Sequence, residues 1–129
     1  MRENRVMGIL LHGRENRKMG VLMDNRTIGS VPFGGRYRLI DFMLSNMVHA
    51  GISDVGVITR DKYASLVDHL GSGRDWDLAR KSGGLSLLPP AVGESGSSAY
   101  RGELESLHNH RGFIENTPAR YVVLSTTDL

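Results

Sequence analysis

Apolar residues fall along this chain in two kinds of run. Val6 to Leu11 (VMGILL) and Asp54 to Thr59 (DVGVIT) are short and almost continuously apolar, the pattern of strands buried on both faces. Tyr121 to Ser125 (YVVLS) repeats that pattern late in the sequence, and Leu85 to Leu88 is a shorter example. Between these runs the apolar positions recur at helical spacing. Leu39, Ile40, Phe42, Met43, Met47, Val48 and Ala50 predict a helix over 37–50, with Gly51 placed for a left-handed C-terminal cap. Tyr63, Leu66, Val67 and Leu70 predict a second helix, with Asp61 as its N-cap and Gly71 as its stop. Leu104, Leu107 and Ile114 predict a third over 102–116, broken before Pro118.

The remaining segments are loops. His12 to Ser30 is polar and rich in Arg and Asn, with no clean periodicity, and the stretch 71–103 is rich in Gly and Ser and contains Pro89-Pro90. Strands alternating with helices in this order predict an α/β fold built on an open parallel sheet. In it Val6–Leu11, Asp54–Thr59 and Tyr121–Ser125 should be neighbours, with ligands gathering at the carboxyl ends of the strands. The sequence stops at Leu129, four residues after the last strand. That leaves the sheet unfinished and predicts an N-terminal fragment of a longer protein.

Composition narrows the function classes. The 129 residues are 40% hydrophobic and hold no cysteine, enough apolar material for one packed domain and no basis for a disulfide scaffold or a thiolate zinc site. The formal charge is only +2, but it is unevenly placed: residues 1–40 carry eight basic and three acidic side chains, residues 41–129 eight and eleven. The basic first third lacks interleaved aromatic residues and a recognised binding motif, which argues against nucleic acid as a partner. No run approaches the roughly 18 apolar residues that cross a bilayer, and the N-terminus breaks its apolar stretch too early for a signal peptide. No membrane association is expected, and a cytoplasmic setting is the default.

Two long strings carry a specific resemblance. SVPFGGRYRLIDFMLSNMVHAGISDVGVIT (Ser30 to Thr59), and HLGSGRDWDLAR followed by GGLSLLPP (His69 to Pro90), resemble the N-terminal region of bacterial ADP-glucose pyrophosphorylases, the glucose-1-phosphate adenylyltransferases. Within that family the likeness is greatest to the GlgD-type glycogen-biosynthesis subunit, a paralogue of the catalytic GlgC-type subunit. The resemblance implies a Rossmann-like nucleotidyltransferase domain, of which residues 1–129 are the N-terminal part, followed by a left-handed parallel β-helix absent from this sequence. It also implies a reaction of ATP with glucose 1-phosphate, giving ADP-glucose and pyrophosphate with the help of Mg²⁺.

Position by position, the resemblance to active members weakens at the chemistry. Their loop after the first strand resembles AGGxGxRL, in which glycines let backbone N–H groups approach phosphates and the arginine steadies the leaving pyrophosphate. Counting back from Val31, those glycines fall on Gly13, Arg14 and Asn16, and the arginine on Lys18. Lys18 is the catalytic candidate the resemblance leaves, although an ammonium lacks the planar fork of a guanidinium. The family's AKPAVPF stretch puts its lysine on Ile28 and its proline on Gly29. Tyr100 and Gly102 match the nucleotide-side YxGTADA stretch, whose Thr-Ala-Asp portion does not match. Asp128 falls on the magnesium-binding carboxylate of a GD pair, with Thr127 in place of the glycine.

The expected assignment is therefore nucleotide contact by Gly13, Tyr100 and Gly102, a metal ligand at Asp128, and a subunit that partners a catalytic adenylyltransferase paralogue in a hetero-oligomer. Weak ATP binding is expected of this chain. The alternative is a working adenylyltransferase with a divergent phosphate loop. Gly13 also reads as a plain turn residue and Asp128 as a polar strand end. Arg14, Arg17, Lys18, Arg26, Arg36 and Arg38 read either as a solvated basic face or as contacts for a sugar phosphate or other anionic effector. Arg38 and Asp41, three apart at a helix start, are spaced to pair with each other. His108 and His110 read as surface histidines, Met43 and Met47 as core, and Trp76 as a loop anchor.

Overall fold

The computed structural model describes residues 6–11, 20–22, 26–59, 63–71, 73–76, 78–79, 83–89 and 103–127. Its centre is a four-stranded sheet built from β1 (Val6–Leu11), β4 (Asp54–Ile58), β5 (Gly84–Leu88) and β6 (Tyr121–Thr126), in the spatial order β5-β4-β1-β6 with every pair parallel. The three strands expected to be neighbours are neighbours, with Gly8 beside both Val55 and Val123.

Helices cover both faces because the strand residues alternate. Leu10, Val55 and Val57 pack with Ile40, Leu44 and Met47 of α1 (Leu39–His49) and Leu66 and Leu70 of α2 (Ala64–Leu70). Met7, Ile9, Leu11, Ile58 and Leu88 face the other way, toward Leu107, Phe113 and Ile114. Those last three lie on α3 (Glu103–Asn109) and α4 (Arg111–Glu115). Strand order advances from β1 to β5 with helices on one face, then jumps back to β6 with helices on the other, as crossovers of one hand require. Two strand glycines set the closeness of the layers. A Cβ at Gly8 would collide with Met47 Sδ of α1, and one at Gly56 would lie 2.8 Å from the ring of Phe113 of α4.

Local departures from the sequence expectation have local causes. The first helix begins at Leu39, because Tyr37 and Arg38 form a strand (β3) that pairs back with Pro32–Phe33 (β2) across the positive-φ turn at Gly34 and Gly35. Asp41 then accepts the Arg38 backbone N–H at 2.8 Å and closes the helix start. The second helix has Tyr63 at its N-cap, with no side-chain cap, and Asp61 lies outside the described residues. Gly51 and Gly71 end their helices with φ of 82° and 53°, as expected. The third helix is two: the chain leaves helical geometry at His110 (φ −103°, ψ 14°), and the break turns Phe113 and Ile114 onto the sheet. Among the described residues no helix is long and apolar enough to cross a membrane.

At the amino edge of the sheet a cavity of about 360 Å³ is lined by Val6, Asp54, Phe113 and Asn116 among others. Burial raises the Asp54 carboxyl above its ordinary value of 3.8. Between that value and the raised one the folded chain holds more protons than the unfolded chain, so this group's contribution to stability falls as pH rises through the window. Asp54→Asn is therefore expected to raise the urea midpoint at pH 7, with the gain shrinking toward pH 3. An unchanged or lowered midpoint at pH 7 would show that the carboxylate is not penalised there.

Candidate functional site

The sheet order places one switch point on the molecule, between β1 and β6, where the strands added after β1 depart to opposite sides. Leu11 and Thr126 are paired at the carboxyl ends of these strands, and the Thr127 N–H donates to the Leu11 carbonyl at 3.0 Å. The loop starting at residue 12 and the residue at 128 thus leave adjacent strand ends. Gly13, Lys18, Tyr100, Gly102 and Asp128 all lie outside the described residues, as do Arg14, Asn16 and Arg17. What the structure describes is the pair of strand ends next in sequence to residues 12 and 128.

The long polar loop returns to this frame as a buried 3-10 turn, Ile28–Ser30, which packs on α1 and α2. Ser30 donates through both its backbone N–H and its hydroxyl to the Thr27 carbonyl. The Arg38 guanidinium reaches from β3 to the Ser30 carbonyl and to Ser65 Oγ of α2, tying turn, hairpin and helix together. Gly29 faces the end of β6: a Cβ on it would sit 3.0 Å from Thr127 Cβ and Oγ1. Thr27 Oγ1 is buried and has no hydrogen-bond partner among the described residues.

The contact between Gly29 and Thr127 makes a double-mutant test. Gly29→Ala forces Thr127 to move and is expected to destabilise by about 1–3 kcal/mol, the range of overpacked cores. Adding Thr127→Gly removes the obstructing atoms and is expected to recover most of the loss in denaturant midpoint. Strict additivity of the two changes would mean that the residues do not press on each other.

Arg38 and Asp41 do not pair through their side chains: Arg38 braces the 3-10 turn, while Asp41 accepts the Arg38 backbone N–H and, at 2.6 Å, Nε2 of His69. Arg38 is accordingly not part of a solvated basic face, although Arg36 is exposed, with its guanidinium 5.7 Å from the Tyr37 ring centroid. Met47 is buried in the core and Met43 packs against it, as expected. His108 is exposed, whereas His110 is half-buried. Burial pushes the His110 imidazole down, against a smaller upward pull from its hydrogen bond with the Pro89 backbone. Among the described residues no three metal-ligating side chains cluster. His69 escaped the sequence reading; its only signal was its place in the HLGSGRDW string.

A parallel sheet with helices on both faces and a loop-flanked switch point is the α/β frame expected from the sequence, and comparison with known proteins supplies the family. The Nucleotidyl transferase family pattern matches residues 7–127. The chain belongs to the nucleotidyl transferase family. This nucleotidyl transferase chain is 41% identical over 128 residues to the glucose-1-phosphate adenylyltransferase of Clostridium acetobutylicum, a match covering 99% of the chain and 34% of that relative. It is 40% identical over 128 residues to that of Clostridium perfringens strain SM101, covering 99% and 33%. To that of Thermotoga maritima it is 46% identical over 99 residues, covering 77% and 23%. The chain thus spans about a third or less of the length of these relatives, and the resemblance found in its sequence holds at family level.

The resemblance implies two groups, Mg²⁺ and ATP, whose chemistry sets different demands. Mg²⁺ takes hard oxygen ligands and is usually held by one or two carboxylates together with substrate phosphates, a demand that Asp128, next in sequence to the buried Thr127, suits. ATP phosphates need close backbone approach, and Arg14 and Asn16 carry side chains where that approach requires glycine.

Proposed function

We propose that this chain is the N-terminal part of a GlgD-type subunit that modulates a catalytic glucose-1-phosphate adenylyltransferase paralogue in a cytoplasmic hetero-oligomer. The observation that carries the reading is Ile28. It stands where the resembled stretch has a lysine, and it is buried at 3% exposure in the turn that packs on α1 and α2. A position suited to a cation facing phosphate has become part of the core, beside a loop that keeps one of three phosphate-cradling glycines. The β1–β6 pairing keeps an unbroken parallel register, which favours a partner that still needs the fold. Arg14, Arg17, Lys18 and Arg26 give the loop a basic character suited to a sugar phosphate or other anionic effector.

A second reading, a catalytically active adenylyltransferase with a divergent loop, is favoured by the unbroken β1–β6 register at the switch point and by the names of the relatives. ADP-glucose synthesis by the full-length protein, alone and mixed with the catalytic paralogue, separates the two. The expected result is negligible activity alone, co-sedimentation on mixing, and a changed apparent affinity of the paralogue for substrate or effector. Full activity alone, with paralogue kinetics and sedimentation unchanged on mixing, selects the second reading.

A further inference from the structure

The start of α1, the β2–β3 hairpin and the end of α2 enclose a cavity of about 510 Å³, within the size range of small-molecule sites, and none of its described lining residues lies on β1 or β6. Three of its walls are aromatic: Tyr37, Phe42 and Trp76. The Trp76 ring is set edge-on against His69, with centroids 6.0 Å apart, and Phe42 lies 6.4 Å from Tyr37. Tyr37 is exposed at 50% and Phe42 at 37%, although the Arg36 guanidinium lies over the Tyr37 ring and Phe33 meets Phe42 edge to face.

The polar groups in the same cavity are held in place. Asp41 is fixed by the Arg38 N–H and His69 Nε2, at 2.8 and 2.6 Å, while Arg36 and Asp75 sit at the rim. Their charges decide the class of ligand. Among the described residues one guanidinium stands against two carboxylates, one of which is paired with an imidazole, so the described lining has no surplus positive charge for a phosphate. Arg36 at the rim also opposes a cationic ligand that the aromatic walls would otherwise suit. A neutral ligand remains, with a flat apolar face for the rings and an edge of groups able both to donate to Asp41 and Asp75 and to accept from Arg36. Hydroxyls do both.

We propose that this cavity binds a neutral hexopyranose unit, its C–H face against Trp76 or Tyr37 and its hydroxyls on Asp41, Asp75 and Arg36. The proposal does not depend on the adenylyltransferase reading, since it shares none of the switch-point residues. A free hexose and the end of a glucan chain present the same unit.

Saturation-transfer NMR on the full-length protein, with D-glucose, maltotriose, glucose 6-phosphate and choline, tests it. The expected result is transfer to the ring protons of the neutral sugars. Asp75→Ala and Tyr37→Ala, at solvent-exposed positions, should each weaken that binding at least fivefold while leaving the thermal transition in place. Trp76→Ala should abolish it. Tighter binding of maltotriose than of glucose supports a glucan end as the source, and equal binding supports the single hexose. No transfer to either sugar, transfer that survives all three substitutions, or tighter binding of glucose 6-phosphate or choline that those substitutions remove overturns the proposal.

Discussion

Full-length protein carrying Arg14→Gly and Asn16→Gly is expected to bind ATP about a hundredfold more tightly than the unaltered protein. Each hydrogen bond to a charged phosphate is worth about 1.5–3 kcal/mol, so two recovered backbone approaches at the low end give about 3 kcal/mol, a little more than two decades in Kd. Ile28→Lys, the third change that the resemblance suggests, is expected to work the other way. Ile28 is buried, so a lysine there places an unpaired ammonium in the core and lowers the thermal midpoint before it offers any charge to a ligand. Calorimetric titration of ATP into each variant measures the first effect and a thermal melt the second. An unchanged Kd in the double variant means that the loop is not what limits nucleotide affinity. Tight binding by the unaltered protein removes the basis for the regulatory reading.

That contrast marks where sequence pattern was sufficient and where it was not. β1 runs over Val6–Leu11 as its apolar pattern predicts, and β4 and β6 differ from expectation by one residue each. Buried strands of a parallel sheet must be apolar on both faces, so their signal is entirely local. The start of α1 was not local. Tyr37 and Arg38 continue the helical periodicity, yet they pair with residues on the far side of a two-glycine turn, and Arg38 is held by Ser30 and Ser65, eight positions before it and 27 after. The break at His110 is likewise tertiary: one straight helix would not aim Phe113 at the space left by Gly56. The cavity around Asp41, His69 and Trp76 was illegible for the same reason. Its residues come from α1, α2 and a 3-10 turn, and no spacing in the sequence announces that they meet.

The 129-residue chain is expected to self-associate in solution through β6. A parallel strand is normally covered on both faces, but β6 exposes Tyr121 at 64%, Val122 at 38%, Val123 at 43% and Leu124 at 50%, and it lies at the edge of the sheet. Successive residues point to opposite faces, so exposure of four in a row means that both faces of the strand are apolar and open, in addition to its free backbone edge. An edge of that kind pairs readily with another edge, and a charge on it opposes the pairing. Val123→Lys adds one on a face that already meets water. It also leaves the core untouched, since Val123 belongs to neither packed cluster. Sedimentation velocity across a hundredfold concentration range should show a rising weight-average coefficient for the unaltered chain and a nearly flat one for Val123→Lys. A monomer at every concentration for the unaltered chain would mean that residues outside the described set shield this edge, and association that Val123→Lys leaves intact would place the contact elsewhere.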